Sequence, residues 1–174
     1  GTAIPQPFAI PRDGTVELAA RSFLTKYGHL FGITDPSKEL TVKRERKADQ
    51  GRSFVKFQQM VQGIPVIGGE VIVQVDSKKN VLSVNGEISP ASPVGTTPVV
   101  SLEGAKEKAL DRVGAVYQMD RARLTVSKPA LWIYNPVLLG RGPNVHTLVW
   151  RMEVNATEIL PMKEMVLVDA SSGE

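Results

Sequence analysis

The chain has 174 residues, of which 42% are hydrophobic and 22% charged; its formal net charge is +3 and it contains no cysteine. This apolar fraction supports a folded core, and the absence of cysteine excludes disulfides, a thiolate nucleophile and a cysteine-ligated zinc site. Each apolar stretch is shorter than the ~20 residues that a membrane-spanning helix needs. The length predicts one ordinary domain or two small ones.

The first half is predicted to form one helix followed by an antiparallel meander. After a proline-rich lead-in at residues 1–11, apolar residues recur at helical spacing from Val16 to Phe31, with Asp13 or Thr15 as the N-cap and Gly32 as the stop. The period then changes to two, which is typical of strands. The predicted strands are residues 39–48, 53–61, 70–75 and 81–88.

The most basic run of the chain, Lys43 to Lys47, lies in the first of these strands. Such a run can indicate nucleic-acid binding. It is also typical of an edge strand that resists pairing with other chains. We expect the second role and no nucleic-acid partner, because no groove-reading helix or aromatic stacking platform accompanies the charges.

The second half repeats this plan. Residues 89–100 contain three prolines and no charge, which favours a linker. Ser101 is predicted to cap a helix that reaches Val116, and strands are predicted at residues 123–127, 130–134, 147–154 and 163–169. We therefore predict an α+β protein of two small domains, each with one helix packed on an antiparallel four-stranded sheet. The predicted ranges are 12–90, a linker at 91–100, and 101–174.

Catalytic motifs are missing from the sequence. It contains neither His-Glu-x-x-His nor Gly-x-Ser-x-Gly, and it has two histidines. His29 is expected to be a cap or surface residue at the end of the first helix, and His146 a residue at a loop edge. We predict no catalytic residue, no metal site, no cofactor and no enzymatic activity.

One segment, residues 57–70, is unusual for a simple meander. Adjacent glutamines at 58 and 59 point to opposite faces of a strand, so at least one amide is expected in a polar environment. Gly63 suits a backbone with positive φ, and Pro65 belongs at a strand edge or bulge because it cannot donate a hydrogen bond. Gly68-Gly69 would let another backbone approach closely. An irregular structural bulge would explain the same residues.

This segment resembles the fungalysin/thermolysin propeptide motif, in which an aromatic-Gln-Gln strand leads into Gly-hydrophobic-Pro-Val-hydrophobic-Gly-Gly. The resemblance continues through residues 71–76 and 81–86, which look like the closing hairpin of that domain. The residues that carry it are Phe57, Gln58, Gln59, Gly63, Pro65, Val66, Gly68, Gly69, Asn85 and Gly86.

The second half resembles a PepSY domain. The resemblance is carried by a helix followed by residues 131–136, which include Trp132 and Tyr134, then by residues 148–154 and residues 166–174, which contain Asp169. Serine at 172 stands where threonine is commoner. In fold, the two resemblances imply cystatin-like domains.

Together the resemblances imply the N-terminal propeptide of a secreted bacterial thermolysin-like (M4) zinc metallopeptidase. Such a propeptide is a non-catalytic intramolecular chaperone and inhibitor whose partner is the downstream catalytic domain; as an isolated fragment it is expected to be an extracellular monomer. The first residue and the abrupt ending suggest a piece of a longer chain. Three surfaces are expected to be exposed for the partner: Gln58 or Gln59, the Gly63–Gly69 segment, and the Trp132/Tyr134 strand.

The alternative is a stand-alone extracellular or envelope binding module of the PepSY type, without a peptidase partner. An antiparallel sheet with one helix would also serve as a ligand platform.

Overall fold

The computed structural model describes residues 14–140, 142–156 and 162–174. The predicted lead-in at residues 1–11 and the alternative cap Asp13 lie outside these ranges. Within these ranges the fold is α+β, with eight strands and few helices. The chain divides into two compact units: unit 1 extends to Ala91 and includes Pro136–Pro143, and unit 2 consists of Ser92–Asn135 and Asn144–Glu174. The ranges 12–90, 91–100 and 101–174 remain a prediction of domain organisation.

Unit 1 begins with helix α1, Val16–Tyr27. The Thr15 hydroxyl accepts a hydrogen bond from the N–H of Leu18 at 3.1 Å, as expected of an N-cap. A 3₁₀ turn, Gly28–Phe31, ends at Gly32 with φ of 80°. The predicted stop is therefore confirmed, although the α-helix itself ends four residues before Phe31. A short second helix, α2 (Pro36–Glu39), follows.

The sheet of unit 1 is an antiparallel meander of four strands: β1 (Leu40–Lys47), β2 (Ser53–Val61), β3 (Ile64–Val75) and β4 (Val81–Glu87). Alternate side chains of these strands face α1 and pack with it to form the core. The core includes Phe23 and Leu24 of α1 and Val55, Phe57, Val71 and Val73 of the strands. The prediction that the third strand begins at residue 70 is wrong. It begins at Ile64, because a two-residue turn pairs Ile64 directly with Val61.

Unit 2 contains helix α3, Leu102–Tyr117, capped by the Ser101 hydroxyl, which accepts from the N–H of Gly104. Four strands follow: β5 (Leu124–Val126), β6 (Ala130–Tyr134), β7 (Thr147–Ala156) and β8 (Lys163–Asp169).

Strand β7 is the centre of this sheet. It pairs with β8 along one edge and with β6 and then β5 along the other. The four predicted strands are thus present, but the sheet of unit 2 is three strands wide, since β5 and β6 follow each other along the same edge of β7. Helix α3 buries Ala105, Ala109 and Val113. No helix in the described part of the chain has the length and apolar character to cross a membrane.

Candidate functional site

The segment with the most distinctive sequence forms a β-hairpin made by β2 and β3, which we call the glutamine hairpin (residues 57–69). Its turn is Gln62-Gly63, with φ of 49° and 81°. Both central residues have positive φ, as a type I′ turn requires. The prediction of positive φ at Gly63 is confirmed. Gly63 is exposed and nothing lies near the position of a Cβ there.

Gln58 ties the two strands of the hairpin together. Its Nε2 donates to the backbone oxygens of Val66 at 2.6 Å and Gly69 at 2.9 Å, and also lies 3.2 Å from the oxygen of Gln59. The side chain is 6% exposed. A buried amide without these partners would be costly, so the contacts explain why a polar residue is tolerated here.

Gln59 connects the hairpin to the chain that follows β4. Its Nε2 donates to the oxygen of Ser89 at 3.0 Å, and its Oε1 accepts from the N–H of Ser89 at 2.8 Å. The side chain is 4% exposed. The expectation that Gln58 or Gln59 is an exposed anchor is therefore wrong. Both amides satisfy the protein's own backbone instead, because a strand irregularity between Gln58 and Met60 disturbs the usual pairing.

Three glycines allow close approaches around this hairpin. A Cβ on Gly69 would lie 2.5 Å from Gln59 Oε1, and one on Gly68, where φ is 78°, would lie 3.2 Å from Leu139. The approaching groups there are side chains rather than the expected second backbone. At Gly86, with φ of 149°, a Cβ would lie 2.1 Å from the backbone oxygen of Glu70. Backbone therefore approaches backbone at Gly86.

The remaining motif residues of unit 1 differ in exposure. Phe57 and Val66 are fully buried. Pro65 is half-buried in β3 opposite Met60, and exposed Asn85 lies opposite Ile72. The parts of the glutamine hairpin available to a partner are thus the exposed Gly68 and the tip, which we define as residues 62–65.

Glu70, directly after the glutamine hairpin, joins two cations. Its carboxylate accepts from Lys43 at 2.7 Å and from Lys56 at 2.5 Å. Burial by itself would raise the pKa of Glu70, but the hydrogen bonds from Lys43 and Lys56 outweigh it and hold the pKa below its ordinary value. The ion pair links β1, β2 and β3 across the sheet.

In unit 2, Trp132 and Tyr134 are half-buried on β6. The Arg151 guanidinium carbon lies 4.9 Å from the centroid of the Trp132 ring, at cation–π distance. Trp132 on β6 and Asp169 on β8 both pair with Val149 on β7, so the three residues form one row across the sheet. A Trp132 ring covered by arginine is not a freely exposed aromatic anchor.

Asp169 organises the turn after β8. Its Oδ1 accepts from the N–H groups of Ser171 at 2.7 Å and Ser172 at 2.9 Å. Its backbone N–H donates to the oxygen of Glu174. These local hydrogen bonds explain why an aspartate occupies position 169.

These residues offer hydrogen-bonding and packing groups rather than reactive ones. Within residues 14–140, 142–156 and 162–174, no three His, Cys, Asp or Glu side chains cluster so as to hold a metal ion. His29 is exposed, as expected. His146 is the last loop residue before β7, also as expected, and it is 6% exposed. Ser89, which sequence reasoning missed, belongs with the hairpin; its 30-residue separation from Gln59 left no local signal.

Comparison with known proteins gives two findings. Residues 38–88 match the Fungalysin/Thermolysin Propeptide Motif, a range that contains the whole glutamine hairpin. The chain is also 28% identical over 158 residues to bacillolysins of Bacillus subtilis (strain 168) and Bacillus subtilis subsp. amylosacchariticus, covering 89% of the chain. A bacillolysin of Bacillus amyloliquefaciens is 24% identical over 166 residues, or 90% of the chain. The chain spans 29–30% of the length of these relatives.

Proposed function

We propose that the chain acts as an intramolecular chaperone and inhibitor of the catalytic domain in the same precursor. The propeptide motif at residues 38–88 and the homology to bacillolysins support an N-terminal propeptide of a thermolysin-like (M4) peptidase. Its binding partner is then the zinc metallopeptidase domain, and the precursor is secreted. We also propose that residues 12–90 and 101–174 are cystatin-like domains, the second of the PepSY type.

The glutamine hairpin is the observation that carries this proposal. It lies inside the matched range, and its buried amides hold Val66, Gly69 and Ser89 in place. A hairpin held in this way loses little conformational entropy on binding, so more of its contact energy remains as affinity. Its tip can therefore serve as a rigid template for a partner surface.

Covalent attachment makes such a template effective even when its intrinsic affinity is modest. In one precursor the two parts meet at effective concentrations up to about the millimolar range. Inhibition that persists after cleavage needs a dissociation constant of about 1 nM, or roughly 12 kcal/mol. An interface of that strength typically buries about 1,600 Å². The tip of the glutamine hairpin would supply only part of this area.

The test is to refold the catalytic domain of the same precursor with and without the separate chain, and then to titrate the mature enzyme with it. We expect a higher yield of active enzyme and a dose-dependent loss of activity. Unchanged yield and unchanged activity at high micromolar concentrations of the chain would overturn the proposal.

Substitutions at the tip of the hairpin test whether the tip contacts the catalytic domain. Gly63→Val and Pro65→Lys should reduce assistance, whereas Lys78→Ala and Leu82→Lys, at exposed positions of the same unit, should not. Circular dichroism identifies any variant that fails to fold. Equal effects in folded variants of both sets would exclude the tip from the interface.

The reading frame beyond Glu174 separates this function from that of a stand-alone binding module. A His-Glu-x-x-His motif followed by a glutamate ligand supports the propeptide. An unrelated domain would instead support the binding module.

A further inference from the structure

The face of the unit 1 sheet that points away from α1 carries a groove of about 400 Å³. The strand register explains its lining: Arg44 lies opposite Lys56, Arg46 opposite Phe54, and Ile72 opposite Asn85. Opposed residues project to the same face of a sheet. The groove is lined by Arg44, Arg46, Phe54, Lys56, Ile72 and Asn85.

The two sides of the groove differ in chemistry. The β1 side is cationic, and Arg46 lies over Phe54 with its guanidinium carbon 5.6 Å from the ring centroid. On the β4 side the groove is lined by the uncharged Asn85, which donates to Ser83 at 3.5 Å, and the Ser83 hydroxyl donates to Gln74 at 3.1 Å. Exposed Glu87 lies two residues beyond Asn85, opposite Glu70. Half-buried Phe54 and Ile72 form an apolar floor between them.

The positive charge is only partly neutralised. Glu70 pairs with Lys43 and Lys56. Arg44 and Arg46 are exposed, and in the described part of the chain neither forms a salt bridge. Two guanidinium groups at the edge of an apolar floor fit carboxylates, which arginine can bind through two parallel hydrogen bonds.

We propose that this groove binds an acidic, extended segment of the peptidase domain, with carboxylates against Arg44 and Arg46 and an apolar side chain on Phe54 and Ile72. The inference rests on the proposed function, because it names the chemistry of the surface that the propeptide recognises. Charge complementarity of this kind accelerates encounter and fixes orientation. Single-stranded nucleic acid fits less well, because it needs several aromatic platforms along a basic track, whereas this groove has one phenylalanine, already covered by Arg46.

A direct binding measurement tests the groove. The probe is the fluorescein-labelled peptide Gly-Glu-Asp-Phe-Asp-Glu-Gly, measured by fluorescence anisotropy against the purified chain at low salt. We expect saturable binding that weakens severalfold at high salt, because exposed charges are screened. The double variant Arg44→Glu/Arg46→Glu should bind about tenfold or more weakly, since two exposed attractions become repulsions.

The matched control is Lys78→Glu/Lys128→Glu, which changes net charge equally at exposed positions outside the groove. It should bind the peptide like the unmodified chain. Thermal unfolding checks both variants, and Arg44→Gln/Arg46→Gln replaces the reversal variant if that one does not fold. Equal loss of binding in both charge variants, or equal affinity for a lysine-substituted peptide or an oligothymidylate, overturns the inference.

The refolding assay keeps the two proposals apart. If the unmodified chain assists the peptidase domain and the groove variant assists it as well as the control does, the groove is excluded while the proposed function stands. If the unmodified chain gives no assistance, the proposed function fails, and the peptide measurement still reports on the groove by itself. Reduced assistance from the groove variant alone supports the inference.

Discussion

Gln59 and Ser89 exchange two hydrogen bonds in opposite senses: the Gln59 amide donates to the Ser89 oxygen at 3.0 Å and accepts from the Ser89 N–H at 2.8 Å. The Gln59 side chain thus makes the pair of hydrogen bonds that the backbone of a neighbouring strand would otherwise make. The backbone of Ser89 is satisfied beyond the last residue of β4, and the end of unit 1 is held against the glutamine hairpin.

Replacement of this amide is the first prediction. Gln59→Leu leaves the buried N–H and C=O of Ser89 without these two partners, and should lower the free energy of unfolding by roughly 2–4 kcal/mol. Gln74→Leu makes the same chemical change at a half-buried position, where the glutamine accepts a hydrogen bond from the Ser83 hydroxyl. It should lower the free energy of unfolding by less than about 1 kcal/mol. Urea denaturation measures both, and equal losses would contradict the role assigned to Ser89.

The second prediction concerns Gly86. Its Cβ position lies 2.1 Å from the Glu70 oxygen and its φ is 149°, so Gly86→Ala combines a backbone clash with backbone strain. We expect a loss of about 3 kcal/mol or more, or failure to fold. Gly95→Ala is the control: nothing lies near its Cβ position and its φ is not positive. That control should change stability by less than about 0.5 kcal/mol.

The third prediction is a pH dependence that arises from Glu70. Because Lys43 and Lys56 hold the pKa of Glu70 below its ordinary value of 4.5, the unfolded chain binds more protons than the folded one in this range. The stabilisation is present above pH 4.5 and is lost as the pH falls through the folded-state pKa. Glu70→Gln should therefore be less stable than the unmodified chain at pH 7, and the difference should shrink towards pH 3.

Urea denaturation at several pH values measures this difference. Glu45→Gln removes an exposed carboxylate on β1 that forms no salt bridge in the described chain. A pH-dependent difference as large for Glu45→Gln as for Glu70→Gln would show that the effect is not specific to the Lys43–Glu70–Lys56 group.

The fourth prediction compares the two tryptophans of unit 2. Trp150 is buried and its Nε1 donates to the oxygen of Val100 at 2.8 Å, holding the chain before α3. Trp150→Phe should cost about 1–2 kcal/mol because that oxygen loses its donor. Trp132→Phe loses part of the contact with Arg151 and should cost less than about 1 kcal/mol. Thermal unfolding of the chain carrying either substitution separates the two, and a larger cost at Trp132 would contradict this ranking.

Most of the local structure could be predicted from sequence. The caps Thr15 and Ser101, the stop at Gly32 and the positive φ at Gly63 depend on residues within four positions of each other, so their physical requirements are visible in a short window. The strand positions followed from alternation, with the exception of the start of β3. There the Ile-Pro-Val-Ile run does not alternate, and pairing across the turn determined the boundary.

The candidate site was less predictable. Alternation places Gln58 and Gln59 on opposite faces, but it cannot show that both faces are closed at this point. Burial of both amides depends on Val66 and Gly69 across the turn and on Ser89, 30 residues away. The position of Leu139 against Gly68 likewise had no local signal.

By itself the sequence determined the order of α1, α3 and the strands and carried the propeptide motif, because backbone propensity, capping and short turns act between close neighbours. Tertiary structure alone decided which polar residues are buried and which cations remain exposed. It buries Gln58 and Gln59, whose side chains hydrogen-bond to the backbone, and leaves Arg44 and Arg46 on an open face. The reason is physical: desolvation and pairing depend on groups that folding brings together from distant positions.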